Sequence, residues 1–366
     1  MRVIRSLAFF ALASGAAFLS SGYGTGGEAE AACSATLPDP ALEFVYRSEA
    51  AEKAVTPSAR DRVIEVVCER LQAFAGVEGE VRALAGGRVR VLLPEGEDAN
   101  GSSRLAELIG VTGQLYFYDW EPSLIGPERM AGAFPNAYGA VKLASERKPR
   151  AGCAMCSASS PRFYMFDRST AHRLIAGPVT TRGALRRDAA GRPRRRDGIV
   201  LRVPVGTAIA FERPTSRVGR PMAGAAPGWF ALRDRFALSG EEITDPKQEI
   251  DEFGTPNVTF GFTRKGRIAF QQLTREVAYR GQARAIGPVN SREAAELSGR
   301  FAVAFDGEIK TRPIVDFTQN PDGIDGRTGA QISGGFASAQ EARDLATILR
   351  IGALPINLAL IRRTPR

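Results

Sequence analysis

Two hydrophobic rhythms alternate along the chain. Leu42-Glu43-Phe44-Val45-Tyr46 reads as a strand. Thr56 then caps a helix that starts on Pro57, with Val63, Ile64, Val67, Cys68 and Leu71 on one face. Val81–Leu84 and Val89–Leu92 flank a Gly86-Gly87 turn. Ser102 or Ser103 caps a short helix bearing Leu105, Leu108 and Ile109, and Leu115-Tyr116-Phe117-Tyr118 makes a fourth strand. The order β-α-β-β-α-β predicts a ferredoxin-like split βαβ unit over residues 41–126.

Residues 127–235 read as an irregular insertion. Glu121 to Pro161 is rich in Pro, Gly, Ala and Ser, and Ile199–Val203 and Thr207–Phe211 form a hairpin around Pro204-Val205-Gly206. Period two returns in Val258-Thr259-Phe260-Gly261-Phe262. Thr263 caps the next helix, with Phe270, Leu273, Thr274 and Val277 on one face and Gly281 as its stop. Asp306-Gly307 between Phe301–Phe305 and Glu308–Arg312 is a strong two-residue hairpin signal. Ser338-Ala339-Gln340-Glu341 is a capping box for a helix burying Ala342, Leu345, Ala346 and Leu349, with Gly352 and Pro355 at its exit. The fold class is therefore α+β.

Charge and composition narrow the function. The chain has 366 residues and a net charge of +9, a surface suited to anionic lipid or acidic polypeptide, with no nucleic-acid motif. Its one histidine, His172, removes most catalytic triads and multi-histidine metal sites and reads as structural. No P-loop, GxSxG or HExxH is present, so no catalytic, cofactor-binding or metal residues are assigned. Cys153-Ala154-Met155-Cys156 lies in a Ser/Ala/Pro loop and reads as a local disulfide or two free thiols before a catalytic dithiol; Cys68 reads as a free core residue. The arginines of Arg182–Arg196 read as a solvated loop before a lipid contact, and Asn320–Gly326 as turns before a calcium site. Residues 1–32, with Arg2 and Arg5 ahead of an apolar run from Leu7 to Leu19, read as a signal peptide or N-terminal membrane anchor.

The segments "ALSGEEI", "PNVTFGFTRKGRIAFQQLT", "FAVAFDGEIKTRP", "AQISGGF" and "EARDLATILRIGALP" follow one another in an order that resembles the large extracytoplasmic domain of SecD, a protein-export translocase subunit. The residues that carry it are Leu238, Gly240, Asp306, Gly307, Ile332, Gly334, Gly335, Phe336, Gly352, Ala353, Leu354 and Pro355. Gly113–Pro122 also resembles the SecD of some actinobacteria. The resemblance implies a ferredoxin-like base, begun in 41–126 and completed by 313–366, with a small α/β head at 236–312. It implies a non-catalytic role at the extracytoplasmic face of the cell membrane, holding unfolded, translocating polypeptide beside SecF-like and SecYEG-like partners. In SecD the Gly-Ala-Leu-Pro exit leads into a membrane bundle. Here Arg366 follows eleven residues after Pro355, so the expectation is a protein without its own proton-coupled motor. The alternatives are an exported thiol-disulfide protein using Cys153 and Cys156, or a docking module for a membrane partner.

Overall fold

The computed structural model describes residues 33, 36–37, 40–49, 55–76, 79–94, 99–126, 133–150, 152–187, 194, 198–216 and 221–365. The leader at 1–32, and 188–193 and 195–197 of the arginine-rich loop, lie outside them. The helix expected after Thr56 runs Pro57–Ala75: the Thr56 hydroxyl accepts the Ala59 amide at 3.2 Å, and Gly76 closes it at φ 65°. It packs with Ala99–Gly110 against a four-stranded antiparallel sheet, burying Val63, Val67 and Leu71 beside Phe44 and Val91.

The partner of one strand differs from expectation. That sheet runs Leu358–Pro365, Leu42–Ser48, Arg88–Leu93, Glu80–Leu84 in lateral order. The strand Leu115–Asp119 does not join it. Leu358–Pro365, from the far end of the chain, takes the outer place beside Leu42–Ser48. Strand propensity is local, whereas the choice of partner is decided by which apolar faces can be covered together. Phe117 meets Phe260, Phe262, Phe270 and Phe301 in a second core, which the first sheet could not supply.

Leu115–Asp119 instead founds an eight-stranded sheet, between Leu238–Ser239 and Gly299–Phe305. The sheet continues through Glu308–Thr311, Thr207–Glu212, Gly228–Arg233 and Leu124–Ile125, and Ile314–Val315 pairs beside Gly299–Phe305. A third sheet holds Ile243–Ile250, Pro256–Phe262 and Ala330–Ser333; the helices Arg264–Gln282 and Ala339–Ile351 share its core. The expected head (236–312) and C-terminal base (313–366) thus exchange elements. Gly299–Thr311 belongs to the eight-stranded sheet, and Ala330–Ile351 joins the three-stranded one.

The insertion is ordered in its described part. Arg162–Phe166 pairs with Leu174–Val179 and Ile199–Val203. Ile199–Val203 and Thr207–Glu212 therefore do not form the expected hairpin: they enter different sheets, and Thr207–Glu212 pairs with Gly228–Arg233. The helix Ala137–Ser145, in a stretch expected to be irregular, is capped by Asn136 and buries Ala137, Ala140, Val141 and Ala144, an i, i+3, i+4, i+7 stripe of small residues.

Candidate functional site

Several family-like segments converge around the Asp306-Gly307 turn, the stretch after Ala99–Gly110 and the exit of Ala339–Ile351. Phe305 and Glu308 pair across the expected two-residue hairpin, with Asp306 at φ 47° and Gly307 at φ 83°, both in the left-handed region that such a turn requires. The Asp306 carboxylate accepts the Gly113 and Gln114 amides at 2.9 and 2.8 Å. Asp306 is an exposed turn residue whose carboxylate is held by these two backbone amides, with Arg70 nearby. Gly113 has no room for a side chain: a Cβ would stand 2.8 Å from both the Arg70 guanidinium and Ile348. The exit Gly352-Ala353-Leu354-Pro355 lies beside it, with the Leu354 amide bonded to the Thr112 carbonyl at 2.8 Å.

Arg70, which belongs to no recognisable motif, is the hub. It is fully buried on the apolar face of Pro57–Ala75 and donates to the carbonyls of Leu108, Ile109, Val111, Thr112 and Gly352. Leu108 and Ile109 end the helix Ala99–Gly110, so one guanidinium caps a helix terminus and ties down the chain after it. Burial lowers its pKa to about 10. An arginine between Val67 and Leu71 on an otherwise apolar stripe is the signal in the sequence that could have found it.

Leu238 lies in the core; Ser239 and Glu242 cap the short turn after it, and Lys265 pairs with Glu242 at 2.7 Å. Gly240 lies against Leu115: a Cβ on the glycine would stand 3.3 Å from the leucine Cβ. Ile332 and Phe336 are core residues on either side of the Gly334-Gly335 turn, and Lys310 lies 5.8 Å from the centre of the Phe336 ring. The Ser338 hydroxyl accepts the Glu341 amide, but the Glu341 carboxylate returns to the Ala337 amide, one residue earlier than a capping box requires. These motif residues hold packing, turns and caps.

Cys153 and Cys156 are joined in a disulfide, and Cys33 is joined to Cys68, which corrects the expectation of a free thiol at Cys68. Both sulfurs of the first pair lie against the Asp234 carbonyl, at 3.6 and 2.8 Å. The Asp234 side chain, 1% exposed, accepts from the Ser157 amide and hydroxyl, the Ala158 amide and the Tyr118 hydroxyl. Burial raises its pKa in spite of these donors. Asp234 thus fastens the disulfide loop to the strand that leads into Phe236–Leu238. His172 stacks on Tyr138 at 4.0 Å.

No group of three or more His, Cys, Asp or Glu able to hold a metal occurs among the described residues, and none of their helices is long and apolar enough to cross a membrane. What the arrangement offers is surface. At the tip of the Ile243–Ile250/Pro256–Phe262 hairpin Phe253 is 81% exposed, next to exposed Ile250; Ile268 and Tyr279 lie outward on the helix Arg264–Gln282. The edge strand Ile243–Ile250 is a poor template for strand addition, because Pro246 lacks a donor and the register slips between Thr244 and Lys247.

Residues 216–356 match the family model described as the P1 head subdomain of SecDF. The protein translocase subunit SecD of Syntrophobacter fumaroxidans is 29% identical over 163 residues, 44% of this chain and 25% of that protein. The SecD of Rhodothermus marinus is 22% identical over 340 residues, 86% of this chain and 47% of the relative. The chain therefore spans between a quarter and a half of these two relatives. A solved structure of the membrane component SecDF, which enhances protein export, covers 87% of the chain at 20% identity with a TM-score of 0.45.

Proposed function

From a chain that is a homologue of the SecD/SecDF periplasmic domain, we propose an accessory of Sec-dependent export that binds translocating polypeptide on the extracytoplasmic side and has no catalytic step of its own. The match over the P1 head carries the reading. On it, the four-stranded sheet with its two helices is a ferredoxin-like base, and the three-stranded sheet with Arg264–Gln282 and Ala339–Ile351 is the head. The partners are an unfolded chain and SecF-like and SecYEG-like subunits at the membrane surface. Contact with the client is through side chains, since the slipped, proline-bearing edge disfavours backbone pairing.

The thiol-disulfide alternative has less support. Cys153 and Cys156 lie in a turn and not at the first turn of a helix, where a dipole would favour a reactive thiolate. A docking module without a client is the competing outcome of the test.

A photo-reactive residue at Phe253, on the full chain in native membranes, provides that test. Phe262 is unsuitable because it is buried in the core. Crosslinks to exported polypeptides and to translocase subunits are expected. Crosslinks to translocase subunits alone would favour the docking module, and a blank with folded, membrane-associated protein would sink the export reading.

A further inference from the structure

A groove of about 640 Å³ runs between one flank of the helix Arg264–Gln282 and the segment Arg233–Ala237, with Met155 of the disulfide loop on its wall. Its floor is apolar, from Leu273, Ala269, Ala237 and the half-buried ring of Phe236. Its rim is basic, with exposed Arg150, Arg233 and Arg235. None of these three forms an ion pair among the described residues; Arg233 donates to the Pro122 carbonyl. Arg280 also lines the groove, but Asp119 and Glu121 hold it. The lining sets four arginines against two carboxylates, Asp119 and Glu276, and the Gln272 amide bonds Glu276. Asp234 is turned into the disulfide loop.

Guanidinium groups of one sign above an apolar floor complement a chain that carries carboxylates and apolar side chains together. A lipid headgroup would engage the rim and leave the floor uncovered. We propose that this groove docks acidic, extended segments of a polypeptide, so that clients are favoured by negative charge. The inference rests on the polypeptide-binding reading and adds a place and a preference to it.

The experiment measures binding of the full chain to three unfolded fluorescent peptides of equal apolar content: acidic, neutral and basic. The acidic peptide is expected to bind about three- to tenfold tighter than the neutral one at low salt. Raising salt to about 0.5 M is expected to erase the difference by screening. The double variant Arg150→Glu/Arg235→Glu, at two exposed positions, should abolish the preference for the acidic peptide over the neutral one. Equal binding of acidic and neutral peptides overturns the groove assignment while polypeptide binding stands. A preference that survives charge reversal also overturns it. Binding of phosphatidylglycerol vesicles through the same arginines, without peptide binding, replaces it with a membrane contact. Failure of every peptide to bind ends both readings.

Discussion

Arg70 gives up its water entirely, and five carbonyl oxygens from two stretches of chain replace it. Arg70→Met keeps much of the apolar stem but removes every donor, leaving buried carbonyls unsatisfied. Loss of the arginine's own desolvation penalty offsets part of this. A net loss of about 2–4 kcal/mol in urea unfolding is expected; an unchanged midpoint would remove Arg70 from the role of cap. Asp234 makes a prediction about pH. Its folded pKa is raised above the ordinary 3.8 by burial, so the native state holds this proton more tightly than the unfolded chain. Its contribution is therefore fully present below the ordinary value and is lost as pH rises through the raised one. The stability of the wild type minus that of Asp234→Asn should fall across that window and stay flat above it. Denaturation between about pH 3 and 7 checks the sign; a difference that grows with pH contradicts it.

The helix Arg264–Gln282 shows how much an element reveals in advance. Phe270, Leu273, Thr274 and Val277 are buried as their spacing predicts, and the Thr263 hydroxyl accepts the Gly266 amide at 3.0 Å. Gly281 is the stop that the sequence suggests, yet the helix continues to Gln282, and the glycine is there for closeness. A Cβ would come within 2.7 Å of the Phe317 ring and 3.3 Å of the Leu297 carbonyl. Helix propensity alone makes Gly281→Ala stabilising by about 1 kcal/mol; the packing reverses the sign, to a loss of about 1–3 kcal/mol in thermal or urea unfolding. Periodicity, caps and the Asp306-Gly307 turn are local, so they are legible in the sequence. The company kept by Leu115–Asp119 is not, because four aromatic partners reach Phe117 from distant segments. Leu358–Pro365, with its arginine pair and closing Thr-Pro, carries no strong strand pattern, and the short helix Ala137–Ser145 is masked by the Pro, Gly and Ser of the stretch around it. At the site, the motif glycines are visible and Arg70 shows only as a charge on an apolar stripe, whereas Asp234, whose worth lies in what it touches, carries no signal.

Across the whole molecule, two disulfides brace different spans. Cys33–Cys68 closes a separation of 35 residues, and Cys153–Cys156 only 3. By chain entropy the first contributes about 3–4 kcal/mol and the second about 2. Cys33→Ser should accordingly lower the melting temperature more than Cys153→Ser, and reductant, which opens both bonds, should lower it further than either; equal shifts for the two variants would contradict this ranking. Both bonds suit an oxidising compartment. The four-stranded sheet carries a further consequence, one of timing. Leu42 pairs with Pro365, so the strand Leu42–Ser48 waits for one made more than three hundred residues later. A chain that emerges amino end first holds this slot vacant until Leu358–Pro365 has followed. Closure is then a late, long-range event and a natural bottleneck on the way to the native state. Until it happens, the backbone of Leu42–Ser48 is exposed to any stray strand nearby, so a newly delivered molecule passes through an interval of vulnerability that the finished one no longer shows.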